Sequence, residues 1–235
     1  MMPMRAHSSD RQRGEDALRF AAQAAHDIQE PLRLVTGYLD LLVAHFDGKV
    51  SLDPATLARE ARAASLRMQS LVGDLLEHAR SGRSELSIED VALDASLDDA
   101  LRNLAGAIQR SAAHIERAPL PTVRADRVLM TRLFQNLVSN AVKFRAPGSA
   151  PRIRVYADQG TVFVEDHGLG LPTEDESRLF EPFRRAHDDI PGTGLGLASC
   201  RAIVERHDGR IWATPTQGGG ATFAFEIGTH KEAAR

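Results

Sequence analysis

This 235-residue sequence has few of the features that mark secreted or membrane proteins. It contains one cysteine, Cys200, so no disulfide can form within the chain and a reducing compartment is the natural setting. No apolar run approaches the roughly 20 residues that a membrane-spanning helix needs. The polar stretch at residues 1–13 lacks the apolar segment of a signal peptide. We therefore predict a cytoplasmic chain with no direct membrane insertion.

The chain also has no surplus of positive charge. The chain has 29 Lys and Arg residues against 32 Asp and Glu residues, for a formal net charge of -3. This balance lacks the basic surplus of nucleic-acid-binding proteins, so we expect no nucleic-acid partner. Apolar residues make up 43% and charged residues 26%, which is ordinary for a globular protein.

The first part of the chain, up to a polar joint at residues 81–85, has a helical pattern. Apolar residues recur three or four positions apart in two segments, and Asp53-Pro54 predicts the start of the second helix. Two helices with a short connection form a hairpin. Narrow seams favour the pairing of two hairpins into a four-helix bundle, the alternative being a hairpin packed on its own downstream domain. The seam residues are Leu18, Ala21, Ala25, Ile28, Leu32, Val35, Leu39, Leu42 and Phe46, then Leu57, Ala61, Ala64, Met68, Leu71 and Leu75.

The second part alternates between strand and helix patterns. It predicts a layered α/β domain with a mixed sheet and helices on one face. We expect a long loop at 167–192 and helices at 93–109, at 195–206 and from an Asp126 cap to about residue 144. The expected strands are 86–89, 114–116, 122–124, 153–156, 161–165, 210–213 and 221–227.

Two helical segments carry candidate chemistry. In the first, His26 precedes Asp27, so a neutral imidazole nucleophile has a carboxylate that can fix its tautomer. In the second, Asn136, Asn140 and Lys143 are spaced four and three apart and share one helix face. Carboxamide oxygens suit Mg²⁺, and a lysine supplies a point charge for phosphate.

Two glycine-rich segments suggest a nucleotide site. Asp166 follows a predicted strand, where a carboxylate can accept a hydrogen bond from a base amine, and Gly168 and Gly170 let the backbone approach a ligand. The run Gly192-Thr193-Gly194-Leu195-Gly196 opens a helix, whose N-terminal N–H groups favour phosphate. Between these segments, Phe180 to Arg185 could form a lid that brings Arg184 and Arg185 near the phosphates.

These five elements, in this order, resemble the histidine kinases of two-component signalling. The resemblance covers residues 15–228, and residues 26–33, His-Asp-Ile-Gln-Glu-Pro-Leu-Arg, are especially similar to phytochrome-type kinases. The histidine box corresponds to 26–32, the asparagine box to 136–143, the glycine boxes to 166–170 and 192–196, and the phenylalanine box to 180–183.

The resemblance implies an α+β chain and an ATP-dependent autokinase. His26 would be the phosphoacceptor and Asp27 its general base or orienter. The metal ligands of Mg²⁺ would be Asn140 and, in support, Asn136. The remaining roles are Lys143 on phosphate, Asp166 on adenine, Thr222 assisting through water, and Gly168, Gly170, Gly192, Gly194 and Gly196 shaping the pocket and lid hinges.

The implied organisation is a homodimer that passes phosphate to the receiver domain of a response regulator and answers to an unknown sensor or input protein. The expected divisions are a polar leader at 1–14, a dimerisation and phosphotransfer hairpin at 15–80, a linker at 81–85, a catalytic ATP-binding domain at 86–230 and a tail at 231–235.

The sequence departs from the family pattern at Glu30, which replaces a threonine or asparagine often linked to phosphatase activity, and at His167, which replaces a frequent asparagine. Two rival functions stay open at this point. One is a serine kinase or anti-sigma factor with the same ATP fold, and the other is a non-enzymatic phosphorelay dimer.

Overall fold

The computed structural model describes residues 25, 28–29, 31–81, 86–171, 176–184, 190 and 193–228. The chain separates into two compact units, Met1–Glu77 and His78–Arg235. The expected helical hairpin and the α/β domain with a mixed sheet are both confirmed.

Among its described residues, the first unit contains helix α1 at residues 31–46 and most of helix α2 at Pro54–Ser81, and residues 25, 28 and 29 are also helical. Asp53 caps α2 as predicted, because its carboxylate accepts hydrogen bonds from the backbone N–H groups of Ala55 and Thr56, each at 3.1 Å. The buried face of α2 is formed by Leu57, Ala61 and Ala64.

The seam of α1 is much less covered than that of α2. Leu32 is 48% exposed, Leu39 is 50% exposed and Phe46 is 77% exposed. Leu18 and Ala21 of the predicted seam, and the side chains of Leu71 and Leu75, lie outside the described part of the chain. The described part of the hairpin therefore presents a row of apolar side chains on α1 that are exposed in the single chain.

The second unit contains two sheets and four α-helices among its described residues. The strands are β1 Glu89–Ala92, β2 His114–Arg117, β3 Thr122–Ala125, β4 Arg152–Asp158, β5 Thr161–Asp166, β6 Arg210–Pro215 and β7 Ala221–Glu226. The helices are α3 Leu93–Asn103, α4 Ala105–Ser111, α5 Arg127–Lys143 and α6 Gly196–Arg206, and a 3-10 helix spans Glu176–Phe180.

Five strands form the main sheet in the order β2-β4-β5-β7-β6. The β2–β4 pair is parallel and the other pairs are antiparallel, so the sheet is mixed, as expected. Burial alternates along β4, with Ile153 and Val155 in the core and Arg152 and Arg154 exposed, as period-two geometry requires. The helices pack on the buried face.

Two predicted boundaries were wrong. The first strand spans Glu89–Ala92 rather than 86–89, because its register is set by antiparallel pairing of Ala92 with Thr122 in a separate two-stranded sheet. The helix expected at 93–109 is two helices, because Leu104 has φ -96° and ψ 3°, outside the helical range.

Helix α5 lies at the centre of the core and packs against α3, α6 and the sheet. Asp126 caps it as predicted, accepting hydrogen bonds from the N–H groups of Val128 at 3.0 Å and Leu129 at 3.1 Å. Its fully buried residues include Met130, Leu133, Phe134, Leu137 and Val138. This packing fixes the direction of the polar face that carries Asn136, Asn140 and Lys143.

Candidate functional site

Asp166 ends β5 and is 6% exposed. Its Oδ1 atom accepts hydrogen bonds from the backbone N–H of Gly168 at 2.9 Å and of Ala221 at 3.2 Å. Burial raises the pKa of the Asp166 carboxyl, while these two N–H donors act in the opposite direction. Both described bonds use Oδ1, so Oδ2 is the atom suited to accept a hydrogen bond from a ligand amine.

Glycines next to Asp166 allow the close backbone approach that this arrangement needs. A methyl group at Gly168 would overlap the carbonyl oxygen of Phe144, and one at Gly220 would overlap the carbonyl oxygen of Asp166. Gly170 has φ +82°, a conformation that L side chains rarely adopt. The end of β5, the end of α5 and the start of β7 therefore meet closely at Asp166.

The asparagine face of α5 lies beside this point. The backbone N–H of Leu169 donates to the carbonyl of Phe144, the residue that follows α5, at 2.9 Å. Asn136, Asn140 and Lys143 are all half-buried, and the ammonium of Lys143 lies 4.8 Å from the centre of the Phe144 ring. The structure thus joins the first glycine segment to the helix that carries the three polar residues.

The same helix face contacts the start of α6. The side-chain amide of Asn136 donates to the carbonyl of Gly196 at 3.4 Å. A methyl group at Gly196 would lie 4.0 Å from the amide nitrogen of Asn140. Burial raises the pKa of the Cys200 thiol, one turn further along α6, to about 12, while a hydrogen bond with Asn136 opposes the shift. Asn136 therefore connects α5 to the first turn of α6.

The aromatic segment approaches the second glycine segment. Phe180 is buried and packs edge-on against Phe223, with ring centres 6.5 Å apart. Gly194 has φ +70° and lies against the backbone of Phe183. Thr193 Oγ1 accepts a hydrogen bond from the N–H of Leu195 at 3.3 Å, and Leu195 is fully buried. Predicted site residues Thr193, Gly194, Leu195 and Gly196 thus form an ordered turn into α6.

Some predicted residues are not brought to Asp166, or lie outside the described residues. The Thr222 hydroxyl lies 2.8 Å from that of Thr216, while the β7 donor to Asp166 is the N–H of Ala221. The adenine role of Thr222 therefore stays a prediction. Arg184 is half-buried, and its backbone N–H donates to the backbone carbonyl of Glu181 at 3.3 Å. The residues outside the described part are His26, Asp27, Glu30, Arg185 and Gly192.

Sequence reasoning missed three residues that shape this region. Gly220 and Ala221 contact Asp166 across the sheet, and the available signal was the run of three glycines before β7. His207 is fully buried at the end of α6 and accepts a hydrogen bond from the N–H of Asp126 at 3.0 Å. Its sequence signal was weak, since a histidine before Asp-Gly reads as a helix end.

Two protein families match the chain. Residues 16–84 match the His Kinase A (phospho-acceptor) domain, and residues 125–231 match the histidine kinase-, DNA gyrase B- and HSP90-like ATPases. The two matches follow each other in one chain. This chain belongs to the histidine kinase family. The ATPase match includes the asparagine face of α5, Asp166 and both glycine segments, so the chain carries an ATP-binding domain.

Characterised histidine kinases and phytochromes are similar to the chain. Cyanobacterial phytochrome A of a Nostoc species is 37% identical over 94% of this chain and 30% of its own length. The adaptive-response sensory kinase SasA of a Synechococcus species is 31% identical over 92% of this chain and 60% of its own length. The chain thus spans about a third of the length of the phytochrome and over half of the length of SasA.

Solved structures of histidine kinases share the fold. The histidine kinase ThkA in complex with the response regulator protein TrrA has a TM-score of 0.74 and 21% identity, over 97% of this chain and 67% of its own. Full-length ShkA in complex with AMPPNP has a TM-score of 0.57 and 25% identity, over 88% of this chain and 45% of its own. None of the helices among the described residues combines the length and the apolar character that crossing a membrane requires.

Proposed function

We propose that this chain is an ATP-dependent histidine autokinase that phosphorylates His26 and transfers the phosphoryl group to an aspartate of a response regulator. The observation that carries the proposal is the convergence of Asp166 and the asparagine face of α5 with the start of α6. The Asp166 carboxylate suits the base of a nucleotide, and the polar face of α5 beside the start of α6 suits its phosphates.

The base end of the site would be Asp166. Its Oδ2 atom accepts the hydrogen bond of the adenine amine. Gly168 and Gly220 let the backbone segments around Asp166 pack closely, which fixes the position of the carboxylate. Ionised Asp166 stays in place because two backbone N–H groups hold Oδ1. Thr222 stays a proposed water-mediated contact, while Ala221 is the β7 residue whose N–H donates to Asp166.

The phosphate end would lie between α5 and α6. Lys143 contributes positive charge, and the turn from Gly194 to Gly196, which leads into α6, lies at the positive end of the helix dipole and close to its free N–H groups. Arg184 and Arg185 of the phenylalanine segment are the further proposed phosphate contacts. These groups offset the negative charge that spreads over the γ-phosphoryl oxygens in a loose transition state.

The residues at this end also fit Mg²⁺. Asn140 is half-buried beside Gly196, and its carboxamide offers an oxygen ligand of the kind that Mg²⁺ prefers. The proposed ligand set is the amide oxygen of Asn140 together with phosphate oxygens and waters, because Mg²⁺ usually keeps several waters and binds few protein groups. Bound there, the ion would neutralise phosphate charge and orient the γ-phosphoryl group.

Asn136 has a different position from Asn140. Its amide nitrogen already donates to the Gly196 carbonyl, so in this conformation it holds the two helices together. We therefore assign Asn140 as the main metal ligand and Asn136 as its support.

The transfer itself needs His26 and Asp27. One ring nitrogen of His26 attacks the γ-phosphorus, the bond to the bridging oxygen breaks, and ADP leaves with that electron pair. Asp27 orients the imidazole and accepts the proton from the other ring nitrogen. In the second step, a carboxylate oxygen of the regulator attacks the same phosphorus, the P–N bond breaks, and the imidazole of His26 recovers its proton.

The partners follow from the same proposal. The structure of ThkA with TrrA supports a receiver domain as the acceptor, and the phospho-acceptor domain match supports a homodimer through the hairpin. A dimer would cover the apolar side chains of α1, such as Leu39 and Phe46, that the single chain leaves exposed. Use of ATP places the proposed activity in the cytoplasm.

Incubation with γ-labelled ATP and Mg²⁺ tests the proposal. We expect label that is lost in acid and stable in base, and we expect its loss in His26→Gln with nucleotide binding retained. His45→Gln, which changes a histidine of α1, is the control and should label normally. Acid-stable label would indicate the serine kinase, and absence of nucleotide binding in the wild type would indicate the non-enzymatic relay.

A further inference from the structure

His207 is a fully buried histidine that lies far along the chain from every predicted site residue on α5. Its Nδ1 atom lies 2.7 Å from the carbonyl oxygen of Ile203, which can only accept, so Nδ1 carries the proton and donates. Its Nε2 atom accepts a hydrogen bond from the backbone N–H of Asp126 at 3.0 Å. The neutral ring thus uses one nitrogen within α6 and the other to reach the start of α5.

Asp126 is the residue that starts α5. Its Oδ1 caps the first turn of the helix, and its Oδ2 accepts a hydrogen bond from the backbone N–H of Ser87 at 3.2 Å. The backbone around His207 is equally fixed. Its carbonyl accepts a hydrogen bond from the N–H of Gly228 at 3.0 Å, and a methyl group at Gly209 would overlap the carbonyl oxygen of Glu226. Neither end of the bond between His207 and Asp126 is a flexible surface group.

The two helices are therefore joined at two places. At one end, the Asn136 amide donates to the Gly196 carbonyl, and at the other, His207 accepts from Asp126. Ten or eleven residues separate the two places along each helix, or about 15 Å at the rise of an α-helix. The helices run antiparallel, so the end of α6 that holds His207 lies opposite the end that receives phosphate.

We infer that His207 is a positioning residue for the phosphate and metal end of the site. It holds α5 and α6 in the relative position that places Asn140 beside Gly196, the first residue of α6. The inference rests on the proposed function, since it assumes that this end binds Mg·ATP. It predicts a selective effect, because Asp166, which would bind the base, belongs to β5 and is held by β7.

Loss of the hydrogen bond between Asp126 and His207 would lower the fraction of molecules whose α5 and α6 are positioned to bind Mg·ATP. The apparent dissociation constant of Mg·ATP rises by the same factor. The loss of one hydrogen bond sets the expected scale at about threefold to tenfold. Adenosine lacks the phosphates that would bind at this end and should therefore bind to a protein without this hydrogen bond nearly as well as to the wild type.

A matched pair of variants separates the two bonds of the ring. His207→Asn places an amide near the position of Nδ1, so it can keep the bond to Ile203 but cannot reach Asp126. His207→Gln places an amide oxygen near the position of Nε2, so it can keep the bond to Asp126. With the full chain well below its unfolding temperature, we expect His207→Asn to weaken Mg·ATP but not adenosine, and His207→Gln to restore Mg·ATP binding.

A measurement on the wild-type chain covers the case in which a variant does not fold. Coupling is reciprocal, so Mg·ATP should slow the hydrogen exchange of the Asp126 amide by the factor that the broken bond costs in affinity. Adenosine should leave that exchange unchanged.

Equal Mg·ATP binding by wild type and a folded His207→Asn, an equal loss of both ligands, or an Asp126 amide whose exchange ignores Mg·ATP would each overturn the inference while leaving the proposed function in place. A wild-type chain that bound neither ligand would overturn both.

Discussion

Gly194 lies so close to the backbone of Phe183 that a methyl group at residue 194 would be 2.6 Å from the carbonyl carbon of Phe183. Gly194 also has φ +70°, in the left-handed region. The turn that leads into α6 and the end of the phenylalanine segment are thus held together by a contact that only glycine permits. Because both segments are proposed to close over phosphate, this contact is a place where nucleotide binding can be tested.

We expect Gly194→Ala to weaken Mg·ATP binding about tenfold or more, since the added methyl group forces the two backbones apart. Gly148→Ala is the matched control. Gly148 has a similar φ of +74° but no atom within 4 Å of an added methyl group, so it carries the backbone strain without the collision. Isothermal titration of both variants checks the prediction. An equal loss in both, or in neither, would contradict the role of the Phe183 contact.

The Asp166→Asn substitution should weaken nucleotide binding but raise the free energy of unfolding. An amide oxygen can still accept from Gly168 and Ala221, but the adenine amine loses its charged acceptor, which costs about tenfold or more in affinity. Burial raises the pKa of Asp166 in the folded state, so the folded protein holds this proton more tightly than the unfolded chain. Ionised Asp166 therefore lowers the free energy of unfolding, and the neutral amide should raise it at pH 7.

The pH dependence of that gain follows from the same shift. The stability advantage of Asp166→Asn should grow as pH rises from the ordinary carboxyl pKa of 3.8 through the raised value, and then stay constant. It should shrink as pH falls, because the wild-type carboxyl becomes protonated and the burial penalty disappears. Denaturant unfolding across this range measures it. A variant less stable than wild type at neutral pH would argue against a desolvated carboxylate.

The cap of α5 supports the helix that carries the asparagine face. We expect Asp126→Ala to lower the free energy of unfolding by about 1 kcal/mol, because the N–H groups of Val128 and Leu129 lose their acceptor. Asp126→Asn keeps a side-chain oxygen at the cap position and should cost much less. Thermal unfolding of the two variants gives the comparison. Equal stability of Asp126→Ala and wild type would show that the cap is dispensable.

The proposed dimer predicts that charge on the α1 seam is disruptive. Leu39 is half exposed in the single chain, and a partner hairpin would bury it, so Leu39→Glu should dissociate or unfold the bundle. Leu75→Glu is predicted to act in the same way on α2. Arg33→Glu, on the exposed polar side of α1, is the control and should stay dimeric. Sedimentation at micromolar concentration decides. A stable, active wild-type monomer would refute the dimer.

The sequence alone carried the prediction of the helical hairpin, the α/β domain and the family. Apolar spacing in the seam is a local property of each helix, and the Asp53 and Asp126 caps act within three residues, so both could be read without long-range contacts. The asparagine face could be predicted for the same reason, because residues three and four apart share a helix side in any fold.

The tertiary structure decided everything that depends on contacts between distant residues. The register of β1 comes from pairing with β3, and the split of the helix at Leu104 was not visible in its apolar pattern. Thr222 and Ala221 differ by one position in the sequence, but successive strand residues point to opposite sides, and the N–H of Ala221 is the one that reaches Asp166. The hydrogen bond between His207 and Asp126 spans 81 positions, and no local pattern records it, because burial and ring orientation exist only once α5 and α6 have packed.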